Sequence, residues 1–191
     1  VSGRTKSELF NGDTTPKPLM KINGDKTILD CQYELLYKYN IPIHFVLGYM
    51  ADKIALYLVE KDYDVSIVMD RTWDEEYSLP RMIRGYPEYY RDEHIMIFGD
   101  TLFRDDLMEK LIIDDSDVYK CANARKFSSK GAIALVEAVN LNYQIKALDA
   151  PIFFKMQELH PDLKITFENR PVWQFDVDNS DELRQARAMK F

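Results

Sequence analysis

Strands and helices alternate along this chain, which predicts an α/β fold: a doubly wound, mostly parallel sheet flanked by helices. Three observations carry that prediction. Short apolar runs of strand length recur at Ile43-His44-Phe45-Val46-Leu47, from Val65 to Met69 and from His94 to Phe98, with the near-continuous hydrophobicity of strands covered on both faces. Between the runs lie segments whose apolar residues repeat at helical spacing. Each boundary carries a turn residue, so the order reads strand, helix, strand, helix, and right-handed crossovers between parallel strands follow. At 191 residues the chain is long enough for one well-buried domain, and residues 1–191 are read as one.

The elements follow in order. Residues 26–40 read as a helix with Ile28, Leu29, Leu35 and Leu36 on its apolar face, ended by Asn40-Ile41-Pro42. The strand at 43–47 closes on Gly48-Tyr49, and Asp52 to Glu60 is helical through Ile54, Leu56, Leu58 and Val59. After the strand at 65–69, Ser78 caps a helix that tolerates Pro80 in its first turn and stops at Gly85. The strand at 94–98 ends on Gly99-Asp100, and residues 104–113 form a helix with Leu107, Leu111 and Ile112 inward. From Val118 to Ala147 the composition reads as strand-rich, predicting mixed or antiparallel strands. Ala150 to Leu159 returns to helix, and Trp173 to Val177 is a last strand. Asn179 with Glu182 then forms a capping box for a final helix at 180–189.

Composition narrows the function classes. The net charge is −7, with 32 acidic against 25 basic residues and no long block of like charge, which argues against a nucleic-acid surface. Cys31 and Cys121 are far apart and lack metal spacing, as expected of a reduced, cytoplasmic protein. No apolar run approaches the roughly 18 residues of a membrane span. The three histidines show no catalytic grouping: His44 and His94 sit at or in apolar strands, and His160 precedes Pro161.

Two segments near the start read as a grip on nucleotide phosphates. Ser2-Gly3-Arg4-Thr5 offers a small residue, a glycine and a guanidinium, so that backbone N–H groups and Arg4 close on polyphosphate oxygens. In Thr15-Pro16-Lys17-Pro18-Leu19 two prolines stiffen the backbone around Lys17, which places one point charge on a phosphorus centre. An ordinary surface lysine and a solvated terminal arginine are the plainer readings of the same residues, and Lys21 reads as exposed. Further along, Asp100 directly follows a buried strand, where a carboxylate either holds a magnesium ion or caps the loop at Thr101. Asp176 and Asp178 stand at i and i+2, on one face of a strand. They suit either one shared ion or a solvated edge with helix capping.

The two opening segments together resemble the signature of the nucleotidyltransferases that make nucleotide-diphospho-sugars and related activated alcohols: a Gly-rich turn, an arginine, a variable loop, then Pro-Lys-Pro-Leu. The resemblance is strong over residues 2–30, moderate over 40–110 and 171–187, and faint over 114–170. It implies a Rossmann-like sheet with a mixed, strand-rich region on the acceptor side, and an apolar first strand ending in Ala-Gly or Gly-Gly before Val1. It also implies transfer of NMP from an NTP (CTP, UTP or dTTP) to a sugar 1-phosphate or small phosphorylated alcohol, with Mg2+ and release of pyrophosphate. By resemblance, Ser2, Gly3, Arg4, Thr5, Lys17 and Ser78 bind nucleotide, with Lys17 and Arg4 catalytic. Asp100, Asp176 and Asp178 are the metal ligands.

Trp73 and Tyr77, beside Asp74, Glu75 and Glu76, suit either a pocket for a cationic headgroup such as choline or a solvated acidic loop with two anchoring aromatics. A phosphocholine-type cytidylyltransferase is therefore the alternative within the class. Outside it stands a nucleotide-binding or regulatory module without turnover. No nucleic acid or membrane partner is expected, and homo-oligomerisation is left open.

Overall fold

The computed structural model describes residues 14–71, 73, 78–121, 123–141, 150–168 and 174–189. A 3-10 turn at Lys17–Leu19 precedes β1 (Lys21–Asn23), β2 (Lys26–Thr27), α1 (Ile28–Lys38), β3 (His44–Leu47), α2 (Ala51–Glu60) and β4 (Ser66–Met69). Then come α3 (Ser78–Gly85), β5 (His94–Ile97), β6 (Thr101–Phe103), α4 (Asp105–Ile113), β7 (Val118–Cys121) and β8 (Ala124–Phe127). The chain ends with α5 (Ser129–Leu141), α6 (Ala150–Leu159), β9 (Ile165–Glu168), β10 (Gln174–Asp176) and α7 (Ser180–Ala188). The class is α/β, as the alternation predicts. Contacts divide the chain into two compact units, Val1–Arg71 with Phe98–Met108 and Val172–Phe191, and Thr72–Ile97 with Glu109–Pro171.

In the first unit β3 and β4 pair in parallel, with His44 opposite Ser66 and Leu47 opposite Met69, and α2 is the crossover between them. Leu47 of β3, Ile54 and Leu58 of α2 and Leu29 of α1 form one buried cluster, which Phe45, Tyr57, Tyr63 and Val65 extend. A second cluster joins Met20, Ile22 and Ile28 to Leu102, Val177, Leu183 and Ala186, and so ties the start of the chain to its end. Between these clusters, α1 packs on both sides. Its end is set by Asn40, whose φ of 53° lies in the left-handed region that asparagine tolerates better than most residues.

The expected helix at 26–40 is corrected at its start. Gly24, at φ 59°, turns β1 back on β2 in a short antiparallel hairpin, so Lys26 and Thr27 are strand and the helix opens at Ile28. Thr27 then caps α1: its Oγ1 accepts from Asp30 N at 3.1 Å while Asp30 Oδ2 accepts from Thr27 N at 2.7 Å. The Asp30 carboxylate is buried and also accepts from Tyr57 (2.7 Å to Oδ2) and Tyr63 (2.7 Å to Oδ1), which anchors α2 and the chain after it to α1. Burial alone would raise this carboxyl, but the hydrogen bonds from Thr27 and the two tyrosines outweigh it and hold it below the usual carboxylate range. A lowered folded value means that the unfolded chain binds the proton first as pH falls. The stabilisation is thus complete above the unfolded value of about 4 and is lost as pH drops through the folded one. Asp30→Asn is expected to cost about 1–3 kcal/mol at pH 7 and less at pH 3, as read by urea unfolding at both. An equal cost at the two pH values would count against this account.

The second unit holds a four-stranded sheet in the order β5-β8-β7-β9. Its β5–β8 and β7–β8 pairs are antiparallel and its β7–β9 pair is parallel, which agrees with the mixed strands expected there. The strand-rich reading of 118–147 is corrected over its second part. After β8 the chain forms α5, whose Ala132, Ala134, Leu135, Val136, Ala138 and Val139 are all buried. Ser128 caps it, its Oγ accepting from Gly131 N at 3.2 Å. The short strands β6 and β9 are also additions to the sequence reading, and β6, at three residues, is too brief to show a period.

Candidate active site

The site of interest lies wholly in the first unit, at the turn that carries Lys17. Pro16 and Pro18 flank the lysine, and the turn closes through Leu19 N to Pro16 O at 2.8 Å and Met20 N to Lys17 O at 3.0 Å. Each proline fixes its own φ, and Pro18 narrows the backbone conformations open to the lysine before it. Its side chain, 11% exposed, ends between two carboxylates: Nζ donates to Asp100 Oδ2 at 3.1 Å and to Asp178 Oδ1 at 2.5 Å. Burial alone would lower the pKa of this ammonium, but the bonds to Asp178 and Asp100 more than compensate, and it is held above the ordinary lysine value. Lys17 is therefore a fixed, charged cation.

The two carboxylates arrive from distant parts of the chain because β6 and β10 pair antiparallel. Asp176 stands opposite Thr101 in this ladder, and Val177 N extends it with a bond to Asp100 O at 3.0 Å. Residues 100 and 178 thereby come to the same end of the ribbon. A buried threonine takes the third carboxylate, Thr101 Oγ1 donating to Asp176 Oδ1 at 2.6 Å. So the structure brings Lys17, Asp100 and Asp178 together and ties Asp176 to Thr101. Among the described residues no three His, Cys, Asp or Glu side chains converge as a metal cluster.

Downstream, the α7 cap differs in detail from the expected box. Asn179 Oδ1 accepts from Asp181 N and Glu182 N, both at 3.0 Å, whereas Glu182 Oε2 reaches Asp178 N at 2.7 Å. Glu182 therefore anchors the backbone of a site residue.

Other expected site residues fall elsewhere. Ser2, Gly3, Arg4, Thr5 and Tyr77 lie outside the described residues, as does the side chain of Ser78, where α3 begins. Trp73 is half-buried and belongs to the second unit. Lys21 is exposed as expected, paired with Asp25 at 2.8 Å. His160 pairs with Glu137 at 2.7 Å, and His94 is stacked on Phe127 with burial pushing its imidazole pKa down. Burial pushes the thiols of Cys31 and Cys121 up. Two residues that the sequence did not single out are Thr101 and Gln32, both buried polar side chains next to Asp100. Their polarity within apolar surroundings is the available signal, and it is a weak one.

The fold has close counterparts among solved structures. A CTP:phosphocholine cytidylyltransferase from Streptococcus pneumoniae superposes with a TM-score of 0.68 at 13% identity, over 97% of this chain and 95% of that one. A nucleoside-diphosphate-sugar pyrophosphorylase from Vibrio cholerae does so at 0.65 and 14%, over 98% of each chain. An inositol-1-phosphate CTP transferase from T. maritima does so at 0.64 and 9%, over 97% of this chain and 92% of that one. No protein-family model and no curated protein matches the sequence. The chain thus has the Rossmann-like α/β fold of nucleotidyltransferases. Among the described residues no helix is long and apolar enough to cross a membrane.

Proposed function

We propose that this chain is a nucleotidyltransferase, moving NMP from an NTP to a sugar 1-phosphate or small phosphorylated alcohol with release of pyrophosphate, in the cytoplasm. The observation that carries the reading is Lys17, a buried charge flanked by two prolines and held between Asp100 and Asp178, in a fold shared with enzymes of this chemistry. An ionised phosphate oxygen of the acceptor attacks the α-phosphorus, the bond from that phosphorus to the bridging oxygen breaks, and pyrophosphate leaves. The acceptor oxygen is already anionic near neutral pH, so no general base is needed. Lys17 stabilises the negative charge that grows on the α-phosphoryl oxygens. Arg4, with Ser2, Gly3 and Thr5, grips the triphosphate, and Ser78 contacts the nucleotide.

The donor set at Asp100 and Asp178 fits Mg2+, since two carboxylate oxygens already converge on a single positive centre, the Lys17 ammonium. Those two side chains would hold the ion, with Asp176 behind them on Thr101. When bound, the ion supplies charge neutralisation of the phosphates. Trp73 and Tyr77, among their acidic neighbours, favour a second reading in which the acceptor is phosphocholine.

Pyrophosphate release, measured with each NTP against sugar 1-phosphates and phosphocholine in the presence of Mg2+, tests the proposal. One productive pair is expected, and Asp100→Asn should cut its rate by about 10²–10³-fold with the fold intact. A parent rate in that variant would sink the assignment. Calorimetric binding of Mg-NTP without pyrophosphate from any acceptor would favour a nucleotide-binding module instead.

A further inference from the structure

Gln32 lies on α1, is 3% exposed, and spends both hydrogens of its side-chain amide on one short turn. Nε2 donates to Phe98 O at 2.7 Å and to Thr101 O at 2.6 Å. These carbonyls flank Gly99 and Asp100. The turn's own closing bond, Thr101 N to Phe98 O, is long at 3.4 Å, so the amide is the stronger tie across its base.

The same turn touches the lysine from its other side. A Cβ on Gly99 would stand 3.4 Å from Pro18 Cγ, so the main chain before Asp100 runs directly against the proline that follows Lys17. Asp100 O is engaged as well, by Val177 N at 3.0 Å, one residue before Asp178. The backbone that carries Asp100 is thus held by α1, by the Lys17 turn and by the end of β10. Of these restraints, the one from Gln32 is made by side-chain hydrogen bonds, and its helix is fixed in turn by the cap between Thr27 and Asp30.

We infer that Gln32 is a positioning residue: it sets the place of the Asp100 carboxylate relative to Lys17 and Asp178. The inference rests on the proposed function, in which Asp100 and Asp178 hold a divalent cation. A partner that orients a ligand's backbone acts as outer-shell groups do, where loss of one orienting contact weakens metal binding without removing a ligand. A purely architectural glutamine would lower stability and leave cation affinity alone.

The test uses Gln32→Met, which keeps the side chain's length and removes both donors. Gln32→Glu serves as a second variant of the same shape, in case the first fails to fold. Mn2+ affinity is measured by electron paramagnetic resonance on protein shown to be folded, and kcat and KM are measured from pyrophosphate release. Gln32→Met is expected to weaken Mn2+ binding by about tenfold or more and to lower kcat with little change in acceptor KM, and Gln32→Glu to shift both in the same direction. A lower melting temperature with parental Mn2+ affinity and kcat would overturn the inference and leave the functional reading standing. A parent chain that neither binds Mn2+ nor releases pyrophosphate would overturn the functional reading, and the inference with it.

Discussion

Lys17→Met is expected to lower nucleotidyl transfer by about 10²–10³-fold or more, the scale of removing one preorganised charge from a transition state, and at the same time to tighten divalent-cation binding. The two effects share one cause. In the structure the ammonium sits between Asp100 and Asp178, at 3.1 and 2.5 Å, where a cation bound by those carboxylates would also belong. Methionine keeps the bulk of the stem, so the buried turn retains its packing, but it removes the competing positive charge. Two like charges cannot share one pair of oxygens cheaply, so the ammonium and a bound cation compete for these carboxylates.

Stability offers a separate check on the same variant. The pair with Asp178 is weakened by solvent, because that carboxylate is 62% exposed, whereas the contact to Asp100 is better shielded. The raised lysine value contributes stability below the unfolded lysine pKa, and that contribution fades as pH rises through the folded one. The variant's melting curve should therefore converge on the parent's in strong alkali. Calorimetric titration with Mn2+ and a pyrophosphate assay read the functional effects. Unchanged turnover, or weaker cation binding, would contradict the roles given to Lys17.

Gly131→Ala should be among the most damaging small substitutions in the second unit. Alanine inside a helix normally gains about 1 kcal/mol over glycine, so the sign depends on space. Here the added Cβ would fall 2.1 Å from Asp117 O and 2.9 Å from Asp117 C, far inside contact distance and against backbone that cannot rotate away. Asp117 is itself pinned: its carbonyl accepts from Ser128 N at 2.9 Å, and its carboxylate accepts from Ser128 Oγ and Lys164 N, each at 3.0 Å. Relief would require α5 to lift from the strand that follows Asp117, opening a helix whose inward face is buried. A loss of about 3 kcal/mol or more is expected, with a fall in melting temperature of roughly 6–12 °C for a chain of this size. Lys130→Ala, one residue away and solvent-facing, should stay within about 0.5 kcal/mol. Similar melting temperatures for the two variants would show that α5 adjusts more freely than its packing implies.

Much of the first unit was legible in the sequence, since its strands and helices are bounded by turn residues and its apolar runs keep their period. The β3-α2-β4 unit, α7 and the turn at Lys17 all stand where residue patterns place them. Among the elements that residue patterns do not indicate, α5 is hidden for a physical reason. Its exposed stripe of Lys130, Ile133, Glu137 and Asn140 is narrow and interrupted by an isoleucine, so the 3.6-residue repeat is weakly marked, and its Val and Ile content imitates strand. Its Ser128 cap and run of alanines were the signals available. The β1–β2 hairpin was hidden because two-residue strands have no period at all.

The site divides in the same way. Sequence alone singled out Lys17, Asp100, Asp176 and Asp178, because prolines around a lysine and carboxylates at strand ends are local patterns that chemistry makes conspicuous. Tertiary structure decided how they are grouped. Antiparallel pairing of β6 with β10 sets Asp178 beside Asp100 on Lys17 and turns Asp176 to Thr101. It also supplied Gln32, whose two bonds reach residues 66 and 69 positions away. Nothing within a local window can show such a contact, because hydrogen bonds and charges act through space, and which residues meet depends on strand register.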